Sequence, residues 1–177
     1  MATKAATQPT HNGAALKTFS TRNDLPADAR QKLIKLLNQQ LADTTDLRTQ
    51  TKHAHWNVKG PNFIALHKLF DELAEQLSEF ADEIAERATA LGGVATGTAR
   101  VVAANSRVPE FPADAFDWKA VVTALADRYA NLAKSSREAI DASDDLGDKN
   151  TADLFTEVSR GLDKSLWFLE AHITHSE

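Results

Sequence analysis

The sequence predicts an all-α protein of four long helices, with a long crossover carrying a short helix between the second and third. Three observations point there. Apolar residues recur at steps of three and four over long stretches, as one face of a helix requires. No segment alternates convincingly at period two, so strands are not expected. Helix-breaking residues gather in a few places, at Gly60-Pro61-Asn62, Gly92-Gly93, Pro109 to Pro112 and Asp144 to Asp148.

Each element has its own signal. Asn23-Asp24-Leu25-Pro26 marks the start of the first helix, a capping residue ahead of a proline that suits the first turn. That helix runs to about His55 along Leu33, Leu37, Leu41, Thr44, Arg48, Thr51 and His55, a seam that is apolar early and polar late. The second helix spans about Asn62 to Leu91 and stops at Gly92-Gly93, where glycine permits the left-handed turn that ends helices. Some 25 residues then intervene, far more than a usual helix connection, with a short helix expected near Thr98 to Ala104. The third long helix covers about Asp117 to Ser143. The fourth covers about Asn150 to Ile173, with Leu154, Val158, Leu162, Leu166, Leu169 and Ile173 as its apolar stripe. Four long helices with one long crossover in the middle is the ferritin-like bundle topology.

Composition narrows the chemistry. A length of 177 residues with 42% apolar content suits one domain with a sizeable core, and no stretch approaches the roughly 18–20 apolar residues of a membrane span. The first twenty residues lack the apolar run of a secretory signal, which reads as cytoplasmic. The absence of cysteine excludes disulfides, thiolate metal sites and cysteine nucleophiles, leaving any metal to His, Asp and Glu. Charge is unevenly spread: residues 1–22 hold Lys4, Lys17 and Arg22 and no acid, against a whole-chain net charge of −5. The expected organisation is a mobile basic tail over 1–22 and a bundle domain over 23–177. A mobile cationic arm on an acidic body suits contact with polyanions, although an ordinary terminus with three chance charges gives the same count.

His67, Asp71, Asp82 and Glu86 fall within about a quarter turn of one another on the second helix, and His55 stands ahead of it beside Trp56. The stripe is continuous in angle but not in length. From Asp71 to Asp82 a helix rises about 16 Å, whereas metal ligands sit within about 2.0–2.6 Å of the ion. One straight helix cannot close both pairs on one ion. A second copy lying antiparallel would set His67 and Asp71 of one chain against Asp82 and Glu86 of the other, making the site intersubunit. Two imidazoles with three carboxylates suit iron, since this mixture holds Fe(II) and accommodates Fe(III). No Glu stands three residues before any His, so the intrachain di-iron pattern of two Glu-x-x-His pairs is absent. The bland alternative is a polar stripe used only for dimer packing; Glu72, Glu75, Glu79 and Glu83 on the same helix show how readily acids fill a solvated face.

The runs His55-Trp56-Asn57-Val58-Lys59-Gly60, Leu66-His67 with Asp71, Asp82-Glu83-Ile84-Ala85-Glu86-Arg87 and Leu91-Gly92-Gly93 resemble the Dps family, the DNA-binding proteins from starved cells. Asp163 to Glu170 resembles a further segment of that family, and the likeness extends over roughly Thr21 to Ile173. The resemblance implies hollow dodecamers with twelve intersubunit sites, each taking two Fe(II). It implies iron oxidation with hydrogen peroxide and ferric mineral stored in the cavity. His55, His67, Asp71 and Glu86 would be direct ligands, with Asp82 acting through water or as an acceptor behind them. Trp56 has two roles open to it, packing at a subunit interface and sacrificial electron donation. The turn Asp144, Asp145 and Asp148 either caps a helix or lines a channel that focuses cations inward. His53 points to another face, and His172 and His175 lack an acidic partner in register. Non-specific DNA binding through Lys4, Lys17 and Arg22 and association with the nucleoid would follow from the tail. A protein that mainly compacts DNA, with secondary iron chemistry, is the competing reading.

Overall fold

A computed structural model describes residues 17–174. Lys4 and His175 lie outside the described residues. The chain forms five helices: α1 (Ala27–Asn57), α2 (Phe63–Ala90), the short α3 (Ala99–Asn105), α4 (Trp118–Asp145) and α5 (Lys149–Ala171). The expected all-α bundle with its crossover helix is therefore observed, and each expected boundary lies within a few residues of the observed one. Among the described residues the only strand-like pairing is a single bridge between Lys59 and Asp117, which ties the α1–α2 turn to the start of α4.

Helix α1 packs along α2 and α4 along α5, and the two hairpins meet chiefly through α1 against α4, with a smaller contact between α2 and α5. The core is filled by Leu33, Leu37, Leu47, Phe70, Leu77, Tyr129 and Phe155, all essentially inaccessible. Where α2 does approach α5, Gly161 lets the helices close: a β-carbon there would stand 2.5 Å from Cζ of Phe80.

The polar half of α1 is explained by what lies against it. The crossover has few backbone hydrogen bonds of its own, so α1 supplies them. Asn38 donates to the Val94 carbonyl and accepts from the Thr96 amide, and Gln39 donates to the Asn105 carbonyl. The buried Asp43 accepts from the Arg107 amide at 2.7 Å and from its guanidinium at 2.6 and 2.9 Å, while Asp46 accepts from Ser106 at 2.6 Å. Farther along, Gln50 donates to the Pro109 carbonyl and accepts from Arg128 Nε at 2.8 Å. Arg128 in turn donates to the carbonyls of Glu110 and Ala124. Each such group left unpaired in the interior would cost about 1–3 kcal/mol.

The start of the chain differs from expectation. Asn23 is not the helix cap; its side chain accepts from the Leu25 amide in a local turn, and Pro26 occupies the cap position. Nor does the attached part begin at residue 23, because the Phe19 amide donates to the Gly92 carbonyl at 2.8 Å. The reason is local: Gly92 adopts φ +86°, and a β-carbon there would stand 2.6 Å from the Phe19 carbonyl oxygen. Only glycine tolerates both the backbone angle and the close approach.

Gly92→Ala should therefore destabilise the fold by about 1–2 kcal/mol and release the segment around Phe19. A thermal melt together with limited proteolysis checks this, with faster cleavage near residues 17–22 the expected result.

Candidate metal centre

The two histidines are positioned by the α1–α2 turn. His55 is in the last turn of α1 and His67 in the second turn of α2, and the Gly60-Pro61 reversal brings them face to face with ring centroids 3.7 Å apart. Each ring is held by the other residue's backbone. Nδ1 of His55 lies 2.6 Å from the His67 carbonyl oxygen, and Nδ1 of His67 lies 2.9 Å from the His55 carbonyl oxygen. A carbonyl can only accept, so each Nδ1 carries the proton. Each Nε2 is then left as the lone-pair nitrogen, the form a metal requires.

Asp71, one turn beyond His67, is exposed and accepts from Lys52 Nζ at 2.5 Å. That hydrogen bond, joined by the charge of Lys52, holds its carboxyl below the usual carboxylate range. Lys52 thus stands where a cation would approach Asp71. Asp82 and Glu86 lie farther along α2, both exposed, and Asp82 borders a shallow open groove with Glu75, Ser78 and Glu79. Glu83, among Glu79, Asp82, Glu86 and Glu157, has its carboxyl pushed up by burial and then by these like charges.

Among the described residues no three His, Asp or Glu side chains converge at metal-binding distance within one chain. The structure brings His55 and His67 together and sets Asp71 beside them, and it leaves Asp82 and Glu86 at the other end of an unbroken helix. Two carboxylates thus stand on an exposed face toward one end of α2, and two imidazoles with Asp71 toward the other.

The remaining sequence candidates separate cleanly. Trp56 is 64% exposed and borders a groove with His53 and Phe111, whose rings meet edge to face at 5.4 Å. Asp144 is exposed and paired with Lys149, and Asp145 is exposed. Asp148 does not join them. It is 3% exposed, accepts from the Thr151 amide as the cap of α5, and forms an ion pair with Arg87 in which both carboxylate oxygens sit 2.8 Å from Nη2. Of the two roles open to it, helix cap and channel lining, the structure shows the cap, with the buried carboxylate held by the guanidinium and the helix amide. Lys17 lies over the Phe19 ring at 5.0 Å and Arg22 is exposed.

A ferritin-like domain profile matches residues 34–177. The DNA protection during starvation protein of Agrobacterium fabrum is 48% identical over 158 residues, which cover 89% of this chain and 98% of that one. The chain belongs to the Dps family. Solved structures agree: DpsA14 from Streptomyces coelicolor superposes with a TM-score of 0.86 at 34% identity, covering 92% of this chain and 96% of that one. An archaeal Dps homologue from Halobacterium salinarum gives 0.85 at 29% identity, over 96% and 95% of the two chains.

Within this Dps-family chain, three features of the site escaped the sequence reading. Lys52 was not singled out, although it stands three residues before His55 and hence one helical turn away. The exchange of ring and backbone hydrogen bonds between His55 and His67 has no sequence signature. The Arg87–Asp148 pair spans 61 residues, a separation that periodicity cannot report.

Lys52→Gln removes the competing ammonium at Asp71. Because the pair is largely exposed, the competition it offers is modest, so Fe(II) or Co(II) should bind up to about fivefold more tightly. Anaerobic Co(II) titration reads this, and unchanged affinity would show that Lys52 does not compete.

Proposed function

We propose that this chain oxidises and stores iron at sites shared between two antiparallel copies, and so protects DNA from oxidative damage. The observation that carries the reading is the separation of the two half-sites along α2, imidazoles with free Nε2 atoms and Asp71 at one end, Asp82 and Glu86 at the other. A two-fold partner supplies each half with what it lacks. The family and the ferritin-like fold support a hollow dodecamer as the closed form of that pairing, with residence in the cytoplasm near the nucleoid. Among the described residues no helix is long and apolar enough to cross a membrane.

In this reading iron is the substrate. His55, His67 and Asp71 of one chain and Glu86 of the other bind two Fe(II) side by side, with Asp82 accepting hydrogen bonds from bound water. Two neighbouring Fe(II) ions deliver both electrons to one hydrogen peroxide, and with two protons the products are two Fe(III) and two waters. Pairing the electrons leaves no one-electron route to hydroxyl radical. Trp56 beside His55 serves as a reserve one-electron donor when a single Fe(II) is present. Asp144 and Asp145, exposed on the α4–α5 turn, draw cations toward a three-fold opening.

Replacing His67 and Glu86 together with Ala should leave the particle assembled and slow peroxide-driven oxidation by at least tenfold, on the scale expected for lost ligands. Stopped-flow absorbance of ferric iron, beside light scattering for assembly, provides the measurement; wild-type kinetics in an assembled double variant would sink the assignment. In the same assay, Asp144→Asn with Asp145→Asn should slow mineral growth while sparing the first oxidation event, and equal growth would rule out the channel role.

DNA contact through the arm is electrostatic and not sequence-reading, because three cations per chain, Lys4, Lys17 and Arg22, are repeated around an acidic particle. A gel shift of linear duplex DNA, full-length protein against a version lacking residues 1–18, should show retardation only for the full-length form and only at low salt. Absence of a shift in both forms would leave protection to iron chemistry alone.

A further inference from the structure

One buried ion pair has no part in the reading above. Arg87 follows Glu86 directly, and its Nη2 donates to both oxygens of Asp148 at 2.8 Å while its Nε donates to Thr151 Oγ1 at 2.9 Å. Thr151 also donates its hydroxyl to Asp148. The guanidinium is thus locked onto the first turn of α5, and its side chain is 17% exposed against 3% for Asp148. Glu86, about 100° around the same turn of α2, is exposed.

The geometry points to Arg87 and Asp148 as positioning residues for the Glu86 half of the two-chain site, an inference that rests on Glu86 being a ligand there. Little else in polar contact fixes the azimuth of this end of α2. The close approach of Phe80 to Gly161 lies two turns earlier, and Gln76 accepts from Ser165 a turn before that. A rotation of roughly 15° about the helix axis would carry a carboxylate at a radius of about 5–6 Å through roughly 1.5 Å, whereas ligand distances tolerate about 0.2 Å. The two-point grip of the guanidinium, Nη2 on Asp148 and Nε on Thr151, resists that rotation in a way a single hydrogen bond does not. Burial alone would push the Asp148 carboxyl up; the hydrogen bonds from Arg87 and Thr151 outweigh it and hold the group below its ordinary range, so the clamp stays charged at neutral pH. The same residue closes the turn that bears Asp144 and Asp145, its amide donating to the Ser143 carbonyl at 3.0 Å.

Anaerobic Co(II) titration of assembled particles, followed by the visible absorption of the bound ion, tests this. Asp148→Asn and Arg87→Lys, which keeps the charge but loses the fork, should each weaken Co(II) binding by about tenfold. Glu86→Gln should weaken it too, and adding Asp148→Asn to Glu86→Gln should cost little more, because both changes act on one contact. Asp43→Asn supplies the control: it breaks a different buried ion pair, lowers the thermal midpoint and should leave Co(II) affinity within about twofold of wild type, the spread of additive, distant changes. Full Co(II) affinity in the clamp variants, additive losses in the double variant, or an equal loss in Asp43→Asn would each overturn the inference. Should Asp148→Asn fail to assemble, Arg87→Lys decides it alone. Affinity indifferent to Glu86→Gln overturns the ligand reading of Glu86 itself, and that arm tells the two failures apart.

Discussion

The rise of an α-helix, 1.5 Å per residue, governs this molecule more than any single contact. Helix α2 runs unbroken from Phe63 to Ala90, so its two groups of donor residues stay about 16 Å apart however the rest of the chain packs. A fold that buried a metal inside its own bundle would need donors on facing helices, and here the bundle interior is occupied by Tyr129, Phe70 and Phe155. In the proposed function the chemistry therefore falls to an outer face, and two-fold pairing is the simplest completion, because one surface then supplies both halves.

Within that constraint, the His55–His67 pair shows how a site can be prepared without a metal. Stacked rings whose Nδ1 protons are each committed to a carbonyl lose both rotational and tautomeric freedom before any ion arrives. The backbone, not a second carboxylate, does the orienting. Asp71 is treated differently, remaining exposed with Lys52 as a temporary partner. One end of the half-site is rigid and the other exchangeable.

Much of this was legible in the sequence, and the parts that were not share a cause. The helices, the crossover and the short α3 followed from apolar spacing and from Gly and Pro, which act locally. The donor stripe could be read because helical angle is a function of residue number alone. Asp148 stayed open between helix cap and channel lining because an Asp-rich turn carries no sign of which acid faces inward, and that choice depends on Arg87, distant in sequence. The contact between Phe19 and Gly92 was not legible because Gly92 serves two purposes, ending α2 and receiving the Phe19 amide. Only the first purpose leaves a local mark.

The polar face of α1 has a consequence for the order in which the chain acquires its contacts. The hairpins α1–α2 and α4–α5 are joined by short turns, so their packing is local and closes little loop entropy. The crossover is different: its hydrogen bonds to Asn38, Asp43 and Gln50 bridge separations of 58, 64 and 59 residues. Until α1 is in place, the backbone around Val94 to Pro109 outside the short α3 has little but water to satisfy it. On loop-closure grounds the crossover is expected to close late. The face proposed to carry the metal is built wholly from α1 and α2, so it belongs to the local hairpin and not to the long-range contacts of the crossover.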